Sequence, residues 1–270
     1  MNIVDLYYNA KSSVRDSVKT MRANIQFASL DKEIKTVVFT SVIPNEGKTT
    51  LACFLGISVA ETGKKTVVVE CDYRHPMITK NFELESEVEK NDGDDNHVNA
   101  RLQQTRVENL WVLDMKTKVS NPIELISSES YVKMVKKLRE DFDFVIFDTP
   151  PLGAFIDAAH IAAQADGTIL VVKQGQVEKR AAKDVIQQLK KANATVIGAV
   201  INNVDIKKSG YYYNRYRYGY GYGYYRYYSN YYYSHRDDDG NIHRGHRGSH
   251  KHKHRKKNGL FKGFKRSEIR

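Results

Sequence analysis

Gly47, Lys48 and Thr49 stand in succession near the end of a loop that runs from Ser41 to Thr50. Backbone N–H groups around such a glycine can cradle phosphates at a helix N-terminus, the lysine can reach the β and γ phosphates, and the hydroxyl can ligate Mg²⁺. Two aspartates at the ends of apolar runs add acid to this set. Val67-Val68-Val69 leads through Glu70 and Cys71 to Asp72, and Phe144-Val145-Ile146-Phe147 leads into Asp148. In a parallel sheet the ends of successive strands open on the same edge as the phosphate loop, so Asp72 and Asp148 can both face the ion. Val42 stands where such loops usually carry their first glycine. The pattern implies nucleotide binding and by itself names no reaction.

The elements that must position these groups follow from periodicity. β-Branched and apolar runs predict strands over 36–40, 66–69, 109–114, 142–147, 168–172 and 195–201. Helices are expected over 12–27, 49–60, 131–140, 156–163 and 178–191. Strands alternating with helices imply an α/β fold: a doubly wound, mainly parallel sheet with helices on both faces. The segment 83–105, crowded with Asp and Glu around Asn91 to Asn96, reads as a surface loop or partly disordered insertion.

Composition divides the chain. From residue 211 on, 15 Lys or Arg stand against 4 Asp or Glu, a net of +11, which is the formal charge of the whole protein. The remainder is therefore formally neutral, and the basic tail favours polyanions. Residues 1–34 are expected to form an N-terminal segment with a helix, 35–206 the nucleotide-binding domain, and 207–270 a disordered tail too poor in aliphatic residues to build a core. Cys53 and Cys71 each lie in or beside an apolar run, which suits a reduced cytosolic chain. With no apolar span of about 20 residues and no signal-peptide pattern, membrane association is expected to be peripheral or through a partner.

The motifs together resemble those of the bacterial tyrosine kinases of capsule and exopolysaccharide synthesis, the BY-kinases, which look like relatives of P-loop ATPases of the ParA and MinD kind. The carriers are Ser41 to Thr50 with Pro44, Glu46, Gly47 and Lys48, the acidic motif ending in Asp72 and Arg74, the run Asp148-Thr149-Pro150-Pro151, Asn121-Pro122, and the tyrosine-rich tail. The resemblance implies ATP-dependent phosphorylation of tyrosine, in trans between subunits. Lys48, Asp72 and Asp148 would be catalytic. Pro44, Asn45, Glu46, Gly47, Lys48, Thr49 and Thr50 would contact ATP, and Thr49, Asp72 and Asp148 would hold Mg²⁺. It also implies a homo-oligomer, in the family a ring, through a charged helix whose matching positions are Asp16, Lys19 and Arg22, with Asp and Lys replacing the longer or planar groups of the family's pattern. A membrane adaptor of the polysaccharide co-polymerase type and a counteracting phosphatase are the implied partners, at the cytoplasmic face of the membrane. Glu70 replaces the family's first Asp in the second motif, which leaves open a ParA- or MinD-like switch with little kinase activity and a polyanion-binding tail. Asn202, after the strand ending Ala199-Val200-Ile201, reads equally as an adenine-contacting amide or as a turn residue.

The tail is the second chemical signal. Fourteen of the 23 residues over 211–233 are tyrosine: Tyr211, Tyr212, Tyr213, Tyr216, Tyr218, Tyr220, Tyr222, Tyr224, Tyr225, Tyr227, Tyr228, Tyr231, Tyr232 and Tyr233. As phosphoacceptors, each would gain about −1.5 to −2 charges, so about six phosphates would cancel most of the tail's positive charge and its attraction to an anionic membrane. Alternatively, Arg215-Tyr216-Arg217-Tyr218 interleaves cations with aromatics as single-strand nucleic-acid binders do. Six of the nine histidines also lie in the tail, without a fixed spacing that would define a metal site.

Overall fold

The computed structural model describes residues 2–29, 32–84, 100–115 and 121–205. The tyrosine cluster and the basic end lie outside the described residues, as does most of the 83–105 segment. In chain order the elements are α1 (Ile3–Tyr8), α2 (Ser12–Phe27), β1 (Thr36–Ser41), α3 (Lys48–Ala60), β2 (Thr66–Glu70), α4 (Ile78–Asn81) and β3 (Ala100–Gln104). They continue with β4 (Leu110–Met115), α5 (Pro122–Ser127), α6 (Glu129–Asp141), β5 (Phe144–Asp148), α7 (Asp157–Ala162), β6 (Gly167–Lys173), α8 (Lys179–Lys191) and β7 (Val196–Asn202).

The strands form one sheet in the order β3-β4-β2-β5-β1-β6-β7, parallel throughout except for β3, which runs antiparallel to β4. Alternation along the central strands explains the two covered faces. Val37, Phe39, Val68 and Ile146 pack with buried residues of α1, α2 and α3, whereas Val38, Val67, Val69, Val145 and Phe147 pack with those of α5 to α8. Both faces of β1, β2 and β5 are thus dry, which is why these strands read as unbroken apolar runs. β1 lies between β5 and β6, so the chain leaves the sheet toward opposite sides around it, the place where open α/β sheets form their ligand crevice.

The expectation of a loop over 83–105 is corrected in part, because Ala100–Gln104 pairs with β4 from Ala100 opposite Met115 to Gln104 opposite Trp111. Edge-strand pairing of this kind is made by backbone groups, and Arg101-Leu102-Gln103-Gln104 carries too little apolar alternation to announce it. Helix α1 also lay outside the expectation; Asn2 caps it through a side-chain oxygen that accepts the Val4 N–H at 2.9 Å.

Two devices sit at the edge of the sheet where the strands begin. The Lys65 ammonium lies 4.9 Å from the Phe142 ring centre and 5.5 Å from that of Trp111, and the two rings meet edge to face at 5.6 Å. The other is Asp166, just before β6. Its carboxylate accepts the Lys35 and Thr36 N–H groups at 3.1 and 3.0 Å and pairs with Arg139 at 2.9 Å and Lys32 at 2.9 Å. Burial alone would raise its pKa, but Arg139, Lys32 and Thr36 hold it well below the usual carboxylate range. A depressed folded pKa stabilises the fold above the ordinary aspartate value of about 3.9, and the benefit is lost as pH falls below it. Asp166→Asn is therefore expected to cost about 2 kcal/mol at pH 7, with the gap to wild type closing below about pH 4; urea melts across pH check this.

Candidate functional site

The loop between β1 and α3 is shaped by a carboxylate. Glu46 is buried, its Oε2 accepts the Val42 and Ile43 N–H groups at 2.7 and 2.9 Å, and its Oε1 accepts the Lys173 N–H at 2.8 Å. One side chain thereby closes the loop on itself and ties it to the end of β6. Glu46 accordingly enters the site as a brace, with its side chain turned into the protein, so that a phosphate would meet its backbone N–H and not its carboxylate. Asn202 adds a second brace: its Nδ2 donates to the Glu46 carbonyl at 2.8 Å, while its Oδ1 accepts the Asn203 N–H at 2.8 Å. Of its two sequence readings, the amide is engaged by the loop and by its own turn.

Gly47 caps α3 at φ 89°, in the left-handed region that favours glycine, and a Cβ there would stand 2.3 Å from the Asn202 Nδ2. Asn45, at φ 64°, is one of the residue types that tolerate this region. Pro44 and Asn45 are exposed, and Lys48, Thr49 and Thr50 open the first turn of α3 with their N–H groups among those a helix leaves unpaired. An anion at this turn would meet both those N–H groups and the positive end of the helix dipole.

Acid approaches from the neighbouring strand ends. The Cys71 N–H donates to the Asp148 carbonyl at 2.8 Å, so β2 and β5 deliver Asp72 and Asp148 side by side. Beyond Asp148 the chain is stitched to β1: Thr149 Oγ1 donates to the Phe39 carbonyl at 2.8 Å and Thr40 Oγ1 to the Pro150 carbonyl at 3.0 Å. Lys48 Nζ lies 3.2 Å from Asp72 Oδ2, with both side chains largely buried. Asp148 is fully buried, and neither of its oxygens has a hydrogen-bond partner. Burial pushes its carboxyl up to about 6, against the pull of the Lys48 charge and of a Thr49 hydroxyl that lies near without closing a hydrogen bond.

A buried carboxylate with both oxygens bare fits a cation in place, since an isolated charge in such surroundings is costly. Thr49, Asp72 and Asp148 would offer a hard oxygen set of the kind Mg²⁺ accepts when substrate phosphates and water complete its shell.

Glu70 does different work from that expected for the first acid of this motif. Its Oε2 accepts the Met77 and Ile78 N–H groups at 2.7 and 2.8 Å, and its Oε1 accepts the Asp72 N–H at 3.3 Å. Burial, then the Asp148 charge, pushes Glu70 up to about 8, while these N–H donors pull it down. The longer side chain thus spans and holds the turn that carries Asp72. Within that turn Asp72 Oδ1 accepts the His75 N–H at 3.1 Å, and Arg74 reaches out to pair with Asp157 at the start of α7. The partners of Glu46 and Arg74 were not legible beforehand; a lone acid in a first helical turn, as Asp157 is, reads as a capping residue.

On α2, Asp16 and Lys19 are exposed, and Asp16 borders a groove of about 450 Å³ shared with β7. Arg22 is half-buried and donates to the Ser58 carbonyl and, at 3.1 Å, to the Ser58 hydroxyl. One nitrogen of its guanidinium is thereby engaged within its own chain.

With this geometry in view, comparisons agree on one relationship. Residues 41–206 match the AAA domain family. The chain is 34% identical to the tyrosine-protein kinase YwqD of Bacillus subtilis over 75% of its own length and 87% of the relative's. It is also 34% identical to the tyrosine-protein kinase CpsD of Streptococcus pneumoniae, covering 76% of this chain and 86% of that one. Among solved structures, the chimerical protein CapA2B2 superposes with a TM-score of 0.65 at 26% identity, over 75% of this chain and 90% of that one.

Two outcomes follow from the site. Glu46→Ala strands three N–H groups and is expected to weaken ADP binding at least about tenfold, read by titration with a fluorescent nucleotide. Asp148→Asn removes the bare buried charge, so it is expected to raise the melting temperature in metal-free buffer while abolishing the gain in nucleotide affinity that Mg²⁺ gives the wild type.

Proposed function

We propose, from the premise that this chain belongs to the AAA domain family and within it to the bacterial tyrosine-protein kinases, that it transfers the γ-phosphoryl group of ATP to tyrosine, with its own tail as main acceptor. The observation that carries this reading is the Lys48–Asp72 ion pair beside the bare carboxylate of Asp148, at a helix N-terminus built for phosphate. Lys48 pairs with one oxygen of Asp72. Phosphates in the loop would compete for the lysine, and an Asp72 oxygen not turned to the metal would orient the phenol and take its proton.

The phenolic oxygen forms its bond to the γ-phosphorus as the bond to the β–γ bridging oxygen breaks, and ADP leaves with that electron pair. Tyrosine has a reference pKa of about 10, so a carboxylate at the attacking oxygen matters. Mg²⁺ held by Thr49, Asp72 and Asp148 would supply charge neutralisation over the phosphates. Lys48 adds a second positive charge, and the turn pinned by Glu70 and His75 keeps Asp72 at the sheet edge.

The wider role is read from the same family and from the tail. The kinase works at the cytoplasmic face of the membrane with an adaptor of the polysaccharide co-polymerase type, and phosphorylates tyrosines over 211–233 in trans within a homo-oligomer. It thereby regulates capsule or exopolysaccharide synthesis and export, with a phosphotyrosine phosphatase resetting it. Phosphorylation also discharges a tail whose net charge is +11 and loosens its hold on anionic lipid.

Incubation with γ-labelled ATP, Mg²⁺ and the adaptor's cytoplasmic segment is expected to place label on tail tyrosines. Lys48→Ala and Asp72→Asn are expected to lose it by at least about a hundredfold. Release of free phosphate without labelled tyrosine would replace this reading with an ATPase switch of the ParA or MinD kind.

A further inference from the structure

Two catalytic carboxylates approach from different segments, and strand pairing fixes only their backbones. Pairing between β2 and β5 ends where the Cys71 N–H meets the Asp148 carbonyl. Asp72 already lies past that point, on the turn that leads to α4. The bonds from Glu70 to Met77 and Ile78, and from Asp72 to the His75 N–H, shape this turn internally. They do not set where it lies against the chain that follows Asp148.

Arg74 spans that gap. Its guanidinium pairs with Asp157, whose side chain is only 2% exposed, and stacks over the Phe155 ring with its central carbon 4.1 Å from the ring centre. Phe155 and Asp157 both belong to the segment that Asp148 opens and that Thr149 and Thr40 stitch to β1. An ion pair with one partner buried holds its geometry far better than an exposed one, and the aromatic face restricts the guanidinium plane further. The charge of Arg74 is also matched by Asp157, so the arginine is engaged away from any incoming phosphate.

We propose that Arg74 is a positioning residue for phosphoryl transfer: its pairing with Asp157 and Phe155 locks the Asp72 turn against the Asp148 segment and so sets the two carboxylates relative to each other. The inference rests on the kinase reading above for its catalytic consequence, and on the geometry alone for the lock. It accounts for the spacing Glu70-x-Asp72-x-Arg74: the first residue spans the turn, the second works in the site and the third fastens the turn outward.

The test uses the full chain carrying Arg74→Ala, Arg74→Lys or Asp157→Asn. Amide hydrogen exchange over residues 75–78 is expected to speed up at least about tenfold in Arg74→Ala and Asp157→Asn, and to stay near wild type in Arg74→Lys, which keeps the ion pair. With γ-labelled ATP, kcat is expected to fall about 10- to 100-fold in the first two while KM for ATP moves less than about threefold; the lysine variant recovers most of the rate. Unchanged exchange in both variants overturns the lock, and that measurement needs no catalysis. A wild-type chain that labels no tyrosine strikes the kinase reading instead. A rise in KM that matches the loss of kcat overturns the positioning role in favour of a direct phosphate contact.

Discussion

Three backbone N–H groups converge on the Glu46 carboxylate, and the geometry of the site descends from that convergence. A loop that receives phosphates must keep its N–H groups pointing outward, which a flexible segment does only at an entropic cost. Glu46 fixes the loop from inside by holding its first residues and the end of β6 together. With the loop closed, Gly47 can take its left-handed conformation against Asn202, and α3 starts where the dipole and unpaired N–H groups face the crevice. A buried carboxylate saturated by N–H donors is stable in such a place, whereas Asp148, with none, is not.

The contrast between Glu46, Glu70 and Asp148 organises the chemistry. All three are buried acids within one region. Two accept backbone N–H groups and build the frame; the third keeps its oxygens bare. Placing the bare group at a strand end beside Lys48 and Asp72 concentrates unmet negative charge where a cation and a phosphate chain would arrive together. Glu70, which looked from its type like a weakened site residue, holds the turn that delivers Asp72.

Much of this was legible in the sequence because the central strands are buried on both faces and so appear as apolar runs. Those runs end in the acids that matter, and Gly47-Lys48-Thr49 falls between a strand and a helix. What was not legible depends on contacts between distant segments. Nothing near Glu46 announces Lys173, nothing near Arg74 announces Asp157, and Arg22 resembles a surface cation until Ser58 is placed beneath it. Strand β3 escaped for a different reason. Its pairing is a backbone matter, and its side chains carry no period that separates an edge strand from a loop.

The cluster of Lys65, Trp111 and Phe142 has a consequence for how the protein can be watched. The chain contains one tryptophan. Trp111 sits near the start of β4, opposite Val67 near the start of β2, whereas the phosphate loop opens at the other end of these strands. Its indole is packed by a ring and an ammonium that belong to the N-terminal approaches of β2 and β5. Emission excited selectively at the indole should therefore follow the integrity of the sheet and not the entry of nucleotide. The molecule carries a fluorescent gauge of its own folding, set apart from the tyrosines of its tail.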